Sequence, residues 1–573
     1  MKFLRIPALV AITALAVTAC NRDTGGVSQT SSNPLLSHVP ADTPYVFANI
    51  EPTPADVIDS FMLRLAPSLL TAQTLLNDFK IEINSDDDEH QEARLLSAIL
   101  AEFDGKLNRE GLDKLGLSME SHKVIYGMGV FPVVRIALRD PAALRAAIGR
   151  VEASSGMDFG GNKLGETEYW KIAGHGKGQG AVYIAILEDH AAFSMFPTAA
   201  EAEWLPALLG QSMPAESIAS NNALDRLNKD KGYSNYGSGF LDLQKLADEV
   251  LNPGSKTVTL VNSIGHYDPS EFGEVCLAEV KGIIAKAPRM VMGTTELSSN
   301  ILGLSYQLEL ESSLAGKLLE LVAEVPVADN NPDKLVSASL GIQFGKLRTF
   351  AMEQINAVIA NPYQCEKLQQ LNTQATVLAE QMNVPVMPFI NNLKGFRLSL
   401  DEVDFEDFNP EKAKGMFSLE VEKPQMLIGM AQMFVPGMDG LELEAGADPV
   451  ELPQEILSFS SNGMRIFAAM SKDAIGVASG EHGMEELSAF MEADSDNKNV
   501  FFSVDYDMSA QLELQRKLQA EYTPASYGHE GNDEIQELIS NIQDSYIQWL
   551  GRSRTEISFN KDGLQIDSNM TFK

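Results

Sequence analysis

The amino-acid sequence predicts an α+β protein of two tandem repeated units, each a mainly antiparallel sheet with helices packed on one face. Three observations predict it. Apolar runs of strand length follow one another across short turns, which allow antiparallel hairpins but not the crossovers that parallel neighbours need. Runs of helical periodicity separate these hairpins. The order of elements in the first half of the 573 residues then recurs in the second at a nearly constant offset.

The chain opens MKFLRIPALVAITALAVTAC, with Lys2 and Arg5 ahead of an uncharged apolar run from Ile6 to Ala19. That is the layout of a secretory signal, and the run is shorter than the roughly 20 residues that span a bilayer. Its end, Val17-Thr18-Ala19-Cys20, resembles the lipobox of bacterial lipoproteins. The resemblance implies that residues 1–19 are removed and that Cys20 becomes the lipidated first residue. A membrane is then a partner through the acyl chains, each buried methylene contributing about 0.8 kcal/mol. Asn21, where an aspartate resembles the inner-membrane retention signal of many Gram-negative lipoproteins, favours the periplasmic face of the outer membrane over the inner membrane. Residues 20–37, rich in Ser, Thr, Asn and Gly, read as a flexible tether.

The first unit is expected over 38–325. Pro40-Ala41-Asp42 turns into a strand from Tyr45 to Ile50, and a helical section follows from about Ala55 to Leu115, interrupted by the acidic loop Asp86-Asp87-Asp88-Glu89. The strand VVRIALRD runs into Pro141 and the helix AALRAAIGRVEAS, with proline in the first helical turn. AVYIAILE and AAFSMF form a hairpin about Asp189-His190. A helix from Ala199 to Leu209, the strand GSGFLDLQKL, a cysteine-bearing helix from Glu274 to Lys286 and the hairpin MVMGTTELSSNILGLSYQLEL complete the unit.

The second unit, 326–573, repeats that order. GMFSLEVEKPQMLIGMAQMF gives strand, charge, proline and helix, with Pro424 on Pro141 at 424 − 141 = 283. In the hairpin MRIFAAMSKDAIGVAS, Asp473 falls on Asp189 at 473 − 189 = 284. The helix HGMEELSAFMEA and the strand NVFFSVDYDMSAQLEL follow, with Asp505 placed on Asp242 at 505 − 242 = 263. The helix EIQELISNIQDSYIQWL and the closing hairpin RTEISFNKDGLQIDSNMTF end the chain, Gly563 falling on Asn300 at the same 263 (563 − 300). A single deletion of about 20 residues accounts for the change of offset. VAEVPVADNNPDK, with Pro326 and Pro332 among polar residues, reads as the joint.

PADTPYVFANIEP, VVRIALRDPAALRAAI and MGTTELSSNILGLSYQLEL resemble a family of bacterial envelope lipoproteins described only as a domain of unknown function. The resemblance covers most of the mature chain and implies fold and address. It brings no catalytic residues.

With Cys20 lipidated, only Cys276 and Cys365 remain, and an oxidising periplasm favours a disulfide between them. Such a bridge crosses the expected joint. The 79 acidic against 44 basic residues give a net charge of −35, or −37 once Lys2 and Arg5 leave with the signal. A surface so negative repels phosphate backbones, which argues against nucleic-acid partners and for neutral, cationic or protein ones.

Chemistry is hard to find. The eight histidines form no HExxH or His-x-His, so no metal site is expected, and no cofactor or catalytic set is read. No GxSxG elbow occurs. Gly174 to Gly180, GHGKGQG, lacks the GKS/T ending of a phosphate loop and reads as a hairpin loop. Asp494-Ser495-Asp496-Asn497-Lys498-Asn499 alternates like a calcium loop, but Lys498 stands at a ligand position and the turn glycine is missing, so a surface turn is expected. The loop at Asp86 reads as solvated. Asp242 and Asp505 are each expected to cap the next helix. Met426, Met430 and Met433, at i, i+4 and i+7, are expected to pack on the sheet, a groove for a lipid or peptide being the alternative. The leading functional expectation is a non-enzymatic binding or assembly module that meets an envelope protein partner. A carrier of an apolar ligand comes second, and an enzyme with a dispersed site third.

Overall fold

The computed structural model describes residues 33–66, 91–173, 180–265, 267–385, 387–402, 414–438, 440–453, 465–480, 483–493, 495, 499–522, 543–544 and 546–573. The predicted signal, Cys20 and most of the tether lie outside the described residues, as does most of the helix expected over 534–550. Two units divide the chain: Met1–Tyr306 with Gly528–Trp549, and Gln307–Tyr527 with Leu550–Lys573.

In chain order unit 1 runs β1 (Tyr45–Ala48), α1 (Gln91–Glu102), β2 (Lys123–Met128), β3 (Phe131–Ala137), α2 (Pro141–Ser155), β4 (Gly161–Leu164), β5 (Thr167–Ala173), β6 (Gly180–Ile186), β7 (His190–Pro197), α3 (Glu201–Leu208), α4 (Ala223–Lys231), β8 (Ser238–Asp242), α5 (Leu243–Leu251), α6 (Gly273–Ile284), β9 (Arg289–Ser298) and β10 (Ile301–Glu309). Unit 2 continues with β11 (Val336–Gly341), α7 (Phe344–Ala360), α8 (Gln369–Met382), β12 (Leu393–Glu402), β13 (Lys414–Val421), α9 (Pro424–Phe434), β14 (Val450–Glu451), β15 (Ile466–Met470), β16 (Ala474–Ser479), α10 (Gly483–Met491), β17 (Val500–Asp507), α11 (Met508–Tyr522), β18 (Leu550–Asn560) and β19 (Gly563–Phe572). The fold class is α+β, and the strand ladders are antiparallel.

The strands of unit 1 pair in the order β4-β5-β6-β7-β3-β2-β1-β8-β9. In unit 2 the order is β14-β15-β16-β13-β12-β11-β17-β18-β19. Each sheet grows in both directions from the unit's first strand. Across β3 and β7 Arg135 stands opposite Ala192, and across β13 and β16 Ser418 stands opposite Gly476, a register compatible with the sequence offsets of 283 and 284.

Local chemistry explains the junctions. Asp140 caps α2, accepting from the amides of Ala142 and Ala143 at 2.9 and 3.1 Å, with Pro141 in the first turn and Gly156 closing the helix at φ 67°. At α9 the proline is kept as Pro424, but Lys423 stands at the cap with φ 60° and no side-chain cap bond.

The largest core lies in unit 1, where Val46, Ala48, Val124, Tyr126, Val133 and Phe240 of the sheet meet Leu35, Leu36 and Val39 of the N-terminal segment and Leu224 and Leu227 of α4. Among the described residues unit 2 shows no counterpart of α4. Between α3 and β8 there are 238 − 208 − 1 = 29 residues, α4 among them, but between α10 and β17 only 500 − 491 − 1 = 8.

The segment read as a joint is no loose linker. Val322, Ala323, Val325 and Ala328 are at most 7% exposed, because apolar side chains punctuate the polar ones and find the sheet of unit 2. The Ala328 amide donates to Ser503 Oγ at 2.6 Å, Arg554 donates to the Ala328 carbonyl at 3.1 Å, and Arg552 to that of Lys334 at 2.7 Å. The division between units falls at 306/307, which is 325 − 306 = 19 residues before the expected boundary.

Candidate functional site

Cys276, on α6, is 7% exposed and Cys365 is 4% exposed; both are disulfide-bonded. The acidic loop Asp86–Glu89, positions 174–179 and most of Asp494–Asn499 lie outside the described residues. Their flanks are informative in one case: Ala173 pairs with Ala181, so the glycine-rich stretch joins an antiparallel hairpin. Among the described residues no cluster of metal-ligating side chains occurs, and no helix is long and apolar enough to cross a membrane.

Asp242 caps α5, accepting from the Lys245 amide at 2.9 Å. Asp505 does not cap a helix. It is 2% exposed and paired with Arg552, whose Nε approaches to 2.7 Å. Asp507 does the capping instead, accepting from the amides of Ser509 and Ala510 at 2.8 and 3.1 Å. The error is a slip of two residues in FSVDYD, where two aspartates alternate on one face of the strand. Asp242 therefore corresponds to Asp507 (507 − 242 = 265), and Phe240 to Asp505.

That register identifies what replaces the unit 1 core. Val46 faces Tyr126 and Phe240, while Ser337 faces Ser399 and Asp505; Ala48 faces Val124 and Ser238, while Ser339 faces Arg397 and Ser503. An apolar face has become one of serines, an arginine and an acid, yet Ser337, Ser399, Ser503 and Asp505 are no more than 2% exposed. The segment from Val322 to Lys334, a strap, lies against it together with Phe490 of α10.

Arg397, 6% exposed, is one cation of this face. Its Nη1 donates to the Phe490 carbonyl at 2.6 Å, near the end of α10, and its guanidinium lies 4.0 Å from the centre of the Phe490 ring. Burial holds its acidity above the ordinary guanidinium value, with the charges of Glu420 and Asp329 opposing. Glu420 accepts from Ser418 Oγ at 2.7 Å, and burial pushes its carboxyl above the usual range. The hydroxyls of Ser337 and Ser399 have no hydrogen-bond partner. Both, with Arg397, Asp329 and Phe490, line a shallow cleft under strap residues Val327 to Asp329 that is closed to a water molecule as it stands.

Unit 1 places a buried arginine in a related structural role, one strand further out. Arg135, fully buried, donates to the carbonyls of Ala207 and Leu208 at 2.9 and 3.1 Å, capping the negative end of α3. Its Nη1 lies 2.8 Å from His190 Nε2, and His190 Nδ1 lies 2.6 Å from Asp189. Because arginine can only donate, Nε2 accepts and Nδ1 carries the proton to Asp189. The arrangement resembles half of a catalytic triad, but the nitrogen a nucleophile would use is taken by Arg135. The His38 ring lies 5.0 Å from that of His190 and tilted against it, with Nδ1 unpartnered, and burial, with help from the charge on Arg135, pulls the His38 pKa down to about 4.

The methionine stripe is not core. Met426 is 36% exposed, Met433 71% and the adjoining Phe434 77%, because α9 buries only Pro424. In unit 1 the matching helix α2 is covered: Val151 and Ile148 pack with Leu95, Ala98 and Ile99 of α1. At the offset of the preceding strand, Val151 maps on Phe434 (434 − 151 = 283) and Arg150, which pairs with Glu102 of α1, on Met433 (433 − 150 = 283). A position that unit 1 buries under a helix is thus a bare phenylalanine in unit 2.

No family model, curated protein or solved structure matches the chain.

Proposed function

We propose that this chain is a lipoprotein anchored through Cys20 at the periplasmic face of the outer membrane, and that it works as a non-enzymatic binding module docking an amphipathic helix of an envelope protein on α9. The exposure of Phe434 and Met433 where unit 1 covers its matching helix with α1 is the observation that carries this reading. From Pro424 to Met438 there is no charged residue, while the chain as a whole carries −35, so the fitting helix has an apolar face and basic flanks. The lipobox and the disulfide-bonded Cys276 and Cys365 support an exported, oxidising address.

The test uses the full mature protein. Intact mass should begin at acylated Cys20, and Cys20→Ser should retain residues 1–19. A synthetic Lys/Leu amphipathic helix should bind, by fluorescence anisotropy, about tenfold more tightly than a scramble of equal composition, and Phe434→Glu with Met433→Glu should remove that preference. Equal binding of scramble and helix overturns the docking reading, as does self-association or vesicle binding that the same pair of substitutions abolishes.

A further inference from the structure

We propose that the cleft beneath the strap of unit 2 binds a small oxyanion, a carboxylate or phosphate group, between the Arg397 guanidinium and the hydroxyls of Ser337 and Ser399. The site stands apart from α9 and does not rest on the docking reading.

Unused hydrogen-bonding capacity converges there. Arg397 has five N–H groups, and only the one bond to Phe490 engages them; among the described residues no carboxylate lies within ion-pair distance of it. Ser337 and Ser399 stand opposite each other on β11 and β12, each 1% exposed, each with an unpartnered hydroxyl. A buried hydroxyl left unpaired costs about 1 to 3 kcal/mol, a penalty that a bound acceptor removes. Arg397 and Ser399 are two apart on one strand, so all three groups share a face.

The fold does not require this polarity. Unit 1 fills the same ladder positions with Val46, Val124 and Tyr126, and all three are buried. The class of ligand follows from the donors. A guanidinium with free N–H groups beside two hydroxyls, backed by an aromatic ring, matches the several acceptor lone pairs of an oxyanion.

Strap residues Val327 to Asp329 form one side of the cleft, which is closed to a water molecule as it stands, so an anion enters only when that side moves. Two bonds hold that side down, from the Ala328 amide to Ser503 Oγ and from Arg554 to the Ala328 carbonyl. Asp329 is exposed at this edge and opposes an entering anion, so its charge weakens binding.

Calorimetric titration of the full mature protein with inorganic phosphate, and separately with acetate, tests the assignment. Saturable binding of either is expected, and which anion binds more tightly identifies the group. Ser337→Ala with Ser399→Ala should weaken binding at least about tenfold while leaving thermal stability equal or higher, since no existing bond is lost. A merely structural pair of serines would not separate those two readouts. Asp329→Asn should tighten binding about threefold. Arg397→Gln also removes the cap on α10, so the serine pair keeps the test decisive if that variant does not fold. Absence of saturable binding for both anions, or unchanged affinity in the double alanine variant, overturns the proposal.

Discussion

At the scale of single residues, burial decides chemistry more than residue type does. His38 has an ordinary imidazole value of 6.5 when unfolded and about 4 when folded, because burial and the neighbouring charge on Arg135 disfavour its cation, with Asp189 pulling weakly the other way. The unfolded chain therefore binds this proton more readily, so its contribution is intact above about pH 6.5 and is lost as pH falls towards 4. Between pH 7 and 5 urea unfolding should lose about 2 kcal/mol through this group, and His38→Gln should flatten that part of the profile. No local motif marks His38 as buried beside an arginine; the contact spans about a hundred residues of chain. Asp505 teaches the same lesson from the other side. Strand alternation is legible in FSVDYD, but two aspartates share its phase, and only the ladder shows that Asp507 meets the helix while Asp505 meets Arg552.

Among elements, the two proline-initiated helices make a natural pair. Asp140→Ala removes a cap that satisfies two amides of α2 and should destabilise unit 1 by about 1 kcal/mol. Lys423→Gly acts in the opposite sense, relieving a left-handed backbone at φ 60° that has no cap bond to lose, and should stabilise by about 0.5 to 1 kcal/mol. Chemical denaturation of the two variants reads both signs. Strand–proline–helix junctions, hairpins and their order were legible because each depends on residues close in sequence. The fate of α9 was not. Met426, Met430 and Met433 have the spacing of a buried stripe, but whether a stripe is covered depends on an element elsewhere in the chain, and among the described residues unit 2 brings none to Phe434. How VAEVPVADNNPDK packs was likewise not legible: its prolines and acids suit a joint, while the burial of Val322, Ala323, Val325 and Ala328 depends on a distant surface.

For the whole molecule, the covalent link between cysteines adds to a fold of high negative charge. Cys276 and Cys365 are 365 − 276 = 89 positions apart, and closing a loop of that length removes unfolded-state entropy equivalent to about 4 to 5 kcal/mol. Reduction and alkylation should therefore lower the calorimetric unfolding temperature by several degrees, and free thiols should be detected only after reductant is added; equal melting with and without reductant would remove the disulfide from the stability of this chain. By itself the sequence determined the α+β class, several strand–helix junctions and hairpins and the identity of the cysteines available to pair, because periodicity, turn residues and composition act locally; it did not reveal β2, β4, β5, β11 or β12. Only tertiary structure decided which faces are covered. The correspondence of Val46 with Ser337, the strap over Arg397 and the bare Phe434 depend on which distant segment lands on each surface, and burial, unlike periodicity, is a property of the partner as much as of the residue.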